Sequence, residues 1–245
     1  MTQKGLFIFT DTYGSEEKLE AINGQGKTEY TIKLSTPSRI YGAFDAELLN
    51  DNTVAVTTGD PFVFGQCRGI SVVDLTSRKV IKFIDLPDCS YGITHDGNSL
   101  ICCVTNSKIH VVSCTDYSIT TVPNTIVPRL SYISTNAGKI YFTNPEENRV
   151  SCCLYDGKHV WDFCERKVLE QPHGITVDDK GYVFVVGSTS CNVLVISPDG
   201  KRYKEILNKD NGLIKPIAIS IYNLRNHLLV TNENNDAHLY KISYC

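Results

Sequence analysis

Short runs of β-branched and aromatic residues recur along the whole chain, separated by turns rich in Asp, Asn and Gly. Such runs predict antiparallel strands joined by tight turns. The most regular stretch reads PHGITVDDKGYVFVVGSTSCNVLVISPDG, from Pro172 to Gly200. It contains an apolar strand ending at Asp178-Asp179-Lys180-Gly181, an unbroken apolar strand from Val183, and a third strand closed by Ser197-Pro198-Asp199-Gly200. Counterparts of the second strand start at Leu6, Val54, Leu100, Ile140 and Leu228. The spacing is about 40 to 48 residues, the range of four-stranded propeller blades.

The other strands follow the same repeat. First strands are predicted in YGAFDAEL from Tyr41, YGITHDG from Tyr91, SYISTNAG from Ser131, HGITVDDKG from His173 and IAISIYN from Ile217. Third strands include RGISVVDL from Arg68 and RVSCCLYDG from Arg149. Fourth strands are polar and alternating: EYTIKL from Glu29, KVIKFIDL from Lys79, YSITTV from Tyr117, HVWDF from His159 and KRYKEIL from Lys201. Apolar inner strands and amphipathic outer ones suit a radial stack of blades. The expected fold is all-β, a single six-bladed β-propeller over residues 1–245. Its blades fall roughly at 1–36, 37–86, 87–124, 125–168, 169–212 and 213–245. The terminal blades are each expected to be one strand short: no first strand precedes Leu6 and no fourth follows Ile242. That shortage points to a cut from a longer protein, because propellers normally close by removing exposed edges.

Composition narrows the picture. A hydrophobic content of 42% suffices for a buried core, and a net charge of −3 exerts no global pull on nucleic acid. No apolar run approaches the length of a membrane span, and MTQKGLFIFTD is no signal peptide. Two cysteine pairs are vicinal, Cys102-Cys103 and Cys152-Cys153, and no CxxC spacing is present. Reduced cysteines serving as small apolar residues fit this pattern and place the chain in the cytoplasm. A secreted disulfide framework is the alternative.

The stretch from Pro172 resembles an NHL repeat, with Asn192 and Ser197-Pro198-Asp199-Gly200 in the expected places. YGITHDG and LLVTNENNDAHLY fit partly. SYISTNAGKIYFTNPEENRVSCCLYDG and NHLLVTNENNDAHLYKI are similar to the NHL-type propellers of tripartite-motif (TRIM) proteins, especially the expanded bivalve mollusc set. That resemblance implies a substrate-recruiting module of a ubiquitin ligase, whose RING, B-box and coiled coil lie outside this sequence.

Antiparallel connectivity puts the loops entering first strands on the same face as the loops joining second to third strands. Binding residues are expected on such loops. Arg39, Arg129 and Lys215 occupy one repeat position there, and Tyr41, Tyr91 and His173 another. Cations mixed with aromatics suit single-stranded RNA, the alternative ligand. The same face carries Asp11, Glu16, Glu17, Asp60, Glu146, Glu147, Glu233 and Asp236, against Lys18, Arg68, Lys108 and Arg149. An acidic rim repels phosphate, so a protein partner is the leading expectation. The loop Gly59–Cys67 places Phe62 and Phe64 where polar turn residues would be expected, as candidate anchors.

Enzyme readings fare worse. Histidine-zinc lyases and calcium-dependent lactonases share this architecture. His173 sits at a first-strand start, yet the matching positions hold Tyr41, Tyr91, Ser131 and Ile217. Asp45, His95 and Asp178 make a thin set of inner ligands, and Asp178 suits a turn before Gly181. The expectation is a non-catalytic domain without cofactor or metal.

Overall fold

The computed structural model describes residues 2–10, 18–34, 42–59, 68–105, 107–222, 226–234 and 236–242. They form six antiparallel sheets, the blades of a six-bladed β-propeller. Blade 1 holds β1 (Phe7–Thr10), β2 (Lys18–Ile22) and β3 (Thr28–Lys33). Blade 2 holds β4 (Ala46–Asn50), β5 (Thr53–Thr57), β6 (Gly69–Asp74) and β7 (Lys79–Asp85). Blade 3 holds β8 (Ser90–His95), β9 (Ser99–Val104), β10 (Ile109–Ser113) and β11 (Ile119–Thr121). Blade 4 holds β12 (Ile133–Asn136), β13 (Lys139–Asn144), β14 (Arg149–Leu154) and β15 (His159–Phe163). Blade 5 holds β16 (Pro172–Val177), β17 (Val183–Gly187), β18 (Asn192–Ile196) and β19 (Tyr203–Leu207). Blade 6 holds β20 (Pro216–Tyr222), β21 (His227–Asn232) and β22 (Ala237–Lys241). The chain divides into two compact units, Met1–Thr121 and Val122–Cys245, with three blades in each. Among the described residues both terminal sheets have three strands, as the repeat predicted. No helix there is long and apolar enough to cross a membrane.

Burial explains the composition of each strand. β17 is buried along its whole length because neighbouring blades cover both its faces, so its apolar run is unbroken. β19 at the outside is mostly exposed and reads Tyr-Lys-Glu. In the first unit, Ala55, Ile70, Val72 and Ile84 of blade 2 pack with Ile93, Leu100, Cys102 and Val112 of blade 3. In the second, Phe184, Val186 and Val193 of blade 5 pack with Ile219, Leu228 and Val230 of blade 6.

Turn chemistry holds the blades in register. Asp178 is buried, and its Oδ1 accepts from the amides of Lys180 (3.0 Å) and Tyr182 (2.8 Å). The Ser197–Gly200 turn serves a second purpose, because Trp161 of β15 donates from Nε1 to the Pro198 carbonyl at 3.1 Å. Gly200 has φ 72°, and a Cβ there would lie 2.6 Å from the indole. That glycine both makes the turn and admits the ring.

One sequence alignment needs correcting. Ala46 faces Val56, as Ile93 faces Cys102 and Ile175 faces Val185. Two residues before these stand Phe44, Tyr91 and His173. Phe44, and not Tyr41, is therefore the blade 2 counterpart of Tyr91 and His173. The shared Tyr-Gly pair at 41 and 91 suggested a different match, but pairing with β5 sets the register.

The described cysteines form no disulfide. Burial pushes the thiols of Cys102 and Cys152 up to about 12 and that of Cys153 to about 11. They behave as small core residues with little thiolate to react.

Candidate binding face

In the second unit the loop face is built by bonds between successive blades. Gln171, just before β16, donates its amide to Asn148 Oδ1 of blade 4 at 2.7 Å, and its Oε1 accepts from the Thr189 hydroxyl at 2.7 Å. The Ser188 amide bonds to the Gln171 carbonyl. One blade on, the Lys215 amide meets Cys191 Sγ at 3.4 Å, and the Glu233 amide bonds to the Lys215 carbonyl. Asn148, Gln171, Cys191 and Lys215 all have positive φ, between 46° and 56°. Left-handed backbone at non-glycine residues costs about 1–2 kcal/mol each and persists where neighbours hold it. The rim is stitched into a fixed shape.

His173 sits inside this rim. The next residue, Gly174, lets β16 approach β20: a Cβ on it would lie 2.7 Å from the Ile219 nitrogen and 2.8 Å from Ala218 Cα. The His173 ring lies 6.1 Å from the Tyr132 ring of blade 4, tilted by 36°. Burial pushes the imidazole below its ordinary pKa, while Glu233 pulls the other way. His173 is thus half-buried in an aromatic pair beside a carboxylate.

Two cations of this face in the second unit, Lys215 and Arg149, are engaged. Lys215 is exposed and bridges to Glu233 at 2.9 Å, and that carboxylate holds its ammonium above the usual lysine value. Arg149 is gripped by Glu147 at 2.7 Å and reaches Asp162 at 3.5 Å. Arg129 is exposed on the loop entering β12. The loops entering β12 and β20 also present Ile126 and Ile214 to solvent, 78% and 56% exposed.

In the first unit Tyr91 is only 1% exposed and packs edge-on against Phe44, with ring centroids 4.9 Å apart. The expectation of Tyr91 as a binding residue of the loop face is therefore corrected: it is buried, with the counterpart ring Phe44 packed against it. Arg68 pairs with Asp88 at 3.6 Å. Arg39, Tyr41, Phe62 and Phe64 lie outside the described residues. Among the expected site residues, then, the structure groups His173 with Lys215 in the second unit and buries Tyr91 in the first.

Sequence reasoning missed Tyr132, Asn148, Gln171 and Cys191. An Asn at the end of a turn was a usable signal, since Asn tolerates left-handed backbone. The others carried none.

The inner acids have structural work. Asp45 accepts from the amides of Ala46 (2.9 Å) and Ile93 (3.0 Å), joining blades 2 and 3. Burial raises Asp45 to about 6. Burial, then the neighbouring Asp45, raises Glu47 on the same strand to about 8. Among the described residues no three His, Cys, Asp or Glu side chains are grouped to hold a metal ion.

With this geometry in hand, likenesses to known proteins define the class. The family described as "Beta-propeller repeat" matches residues 167–193, the loop, first strand and second strand of blade 5. E3 ubiquitin-protein ligase TRIM56 of Mus musculus is 25% identical over 100 residues, which are 40% of this chain and 14% of that protein. The match thus spans a small part of the relative's length. Virginiamycin B lyase from Staphylococcus aureus superposes with a TM-score of 0.64 at 19% identity, over 98% of this chain and 85% of that one. A streptogramin B lyase gives 0.67 at 17% identity, over 99% and 81%. A chain of the nidogen/laminin complex gives 0.67 at 14% identity, over 97% and 93%. At these identities the structures share the fold alone. The chain is a β-propeller.

Proposed function

We propose that this propeller is a protein-recruiting module of a TRIM-like ubiquitin ligase that works in the cytoplasm and captures its partner on the loop face. The observation that carries the reading is the pairing of Lys215 with Glu233 and of Arg149 with Glu147 and Asp162. Cations already neutralised by carboxylates release few counterions from a phosphate backbone. The exposed Ile126 and Ile214 on the same face favour apolar contact. The partial likeness to TRIM56 and the similarity of residues 131–157 to bivalve TRIM-like propellers support the ligase context. The nidogen/laminin neighbour is a propeller in a protein complex, and the same use of the fold is read here. We read the domain as non-catalytic, as a recruiting module requires.

The test has two arms. Titration with single-stranded RNA should show weak binding, and a tight interaction lost steeply with salt would move the reading to RNA. Affinity capture from cells, with the Phe62→Asp/Phe64→Asp double variant as control, should recover protein partners that the variant loses. Equal recovery by a folded variant would remove the Phe62 loop from the site.

A further inference from the structure

One position of the outer strand meets the turn of the following blade. Tyr30 faces Ala21, Lys82 faces Val72 and Trp161 faces Cys152 at this position of their sheets. Each packs on a residue with left-handed backbone in the next turn between third and fourth strands: Tyr30 on Arg78, Lys82 on Tyr117 and Trp161 on Gly200. Glycine holds the left-handed place at Gly26, Gly157 and Gly200, whereas Arg78 (φ 57°) and Tyr117 (φ 61°) hold it in blades 2 and 3. A side chain is strained there and persists where its contacts hold it. The second unit thus fills the junction with a buried indole against glycine. The first unit puts two cation–π contacts there, on the surface.

The charges of this rim are uncompensated. The Arg78 guanidinium carbon lies 4.5 Å from the Tyr30 ring centroid, and Lys82 Nζ lies 5.0 Å from that of Tyr117. A ring orients a cation without cancelling its charge. Arg78, Lys79 and Lys82 are exposed in the 245-residue chain, and none of them pairs with a carboxylate among the described residues. The acids of the same two turns are bound within them. Asp74 accepts from the Ser77 amide, and Asp116 Oδ1 accepts from the Ser118 amide at 3.0 Å and its hydroxyl at 2.7 Å. Between the cations β7 bulges: Val73 faces Val80 and Val72 faces Lys82, so Ile81 is the extra residue and stands 58% exposed.

We infer that this rim of the first unit, from Arg78 to Lys82, binds an acidic, extended segment of a partner protein. The turns between third and fourth strands emerge opposite the loops between second and third strands. The surface is therefore separate from the loop face and does not depend on the reading of that face. Charge complementarity sets the chemistry: carboxylates suit the fork of Arg78 and the point charges of Lys79 and Lys82. Ile81 adds an apolar contact among these cations, which an apolar side chain of a peptide would cover. Phosphate makes no use of that contact, and three cations are few for a nucleic acid, whose affinity grows with each phosphate neutralised. Arg78 to Lys82 spans about 13 Å of extended chain. The matching segment carries acidic residues at the two ends of such a span and an apolar residue between them.

The probe is a labelled, end-capped peptide Glu-Ser-Leu-Ser-Glu, titrated into the 245-residue chain and followed by fluorescence anisotropy and amide NMR shifts. Saturable binding should move the amides from Arg78 to Lys82 and weaken with salt, which screens exposed charges beyond about 10 Å at 0.1 M. Arg78→Gly restores the glycine of the other turns, so it removes a cation without straining the backbone. Combined with Lys82→Gln, it should weaken binding by about tenfold or more, the factor equivalent to 1.4 kcal/mol. Tyr117→Gly leaves every cation in place and should weaken binding less. The peptide Glu-Ser-Ser-Ser-Glu should bind more weakly than the parent, and Ile81→Ser should erase the difference between the two. Unchanged affinity in the folded double variant overturns the inference, as does equal binding of the two peptides. A short single-stranded RNA held more tightly than the peptide, and released by the double variant, would assign the rim to phosphate and overturn it. Self-association of the chain that the double variant abolishes would assign it to a second copy and likewise overturn it.

Discussion

Blades 5 and 6 repeat the same inner strands and diverge at the outside. β18 and β22 hold the same place in their sheets, with Val193 facing Val186 in one and Ala237 facing Thr231 in the other. Val193 is fully buried and Ala237 is exposed. The two strands differ in composition as they differ in burial: β18, beside a fourth strand, reads Asn-Val-Leu-Val-Ile, and β22, with no fourth strand among the described residues, reads Ala-His-Leu-Tyr-Lys. A third strand is thus not apolar by virtue of its rank in the repeat. Its two faces and its edge each answer to a separate neighbour.

The comparison can be broken first at the turn that ties blade 5 to blade 4. Trp161→Ala should destabilise the protein by about 3–5 kcal/mol in denaturant unfolding, through a large cavity and a lost bond to Pro198. A loss below about 1 kcal/mol would show that the turn is not held by the indole. Next comes the contact between blades 5 and 6. Gly174→Ala forces a methyl against the β20 backbone and should cost about 3 kcal/mol. It should also disturb the Tyr132–His173 pair, visible as shifted ring resonances; a wild-type spectrum would argue against Gly174 as the positioning residue.

The matched pair Val193→Ala and Ala237→Val tests the comparison directly. The first removes buried methyl groups and should cost about 2 kcal/mol, while the second, on an exposed strand, should stay within about 0.5 kcal/mol. Equal effects would mean that β22 is covered in solution.

The smallest effect concerns pH. Burial lowers His173 below the free-imidazole value, so the unfolded chain binds the proton first on acidification. Stability should therefore fall as pH drops below about 6.5 and level off once the folded group also titrates. His95 and His110 in the first unit, lowered for the same reason, act in the same direction. Asp45 and Glu47 are raised, so they act oppositely and lose stability as pH rises from the ordinary carboxylate range through about 6 and about 8. His173→Asn should flatten the acid limb slightly in melts recorded across pH 5 to 7. An unchanged slope would assign that limb to the other histidines.

Much of the fold was legible in the chain. The recurring apolar runs marked the second strands, and Asp178 with Gly181 marked a turn before any contact was known. The three-stranded terminal sheets of the described residues were legible too, as gaps in the repeat. The site was less so. Tyr91 looked like a binding residue because it shares a repeat position with His173; the edge of Phe44 packs against it and it is buried instead. Lys215 looked like one of a ring of cations, but the turn after β21 folds Glu233 back onto it.

Local spacing and turn residues alone determined the strand pattern, the repeat period and the blade count, because a strand's alternation and a turn's backbone angles depend on residues close in sequence. Tertiary structure decided the register of β4, the pairing of Lys215 and the Tyr132–His173 contact. Each of these joins groups from different strands or blades. Their meeting depends on how the sheets pack against one another, which no local pattern encodes.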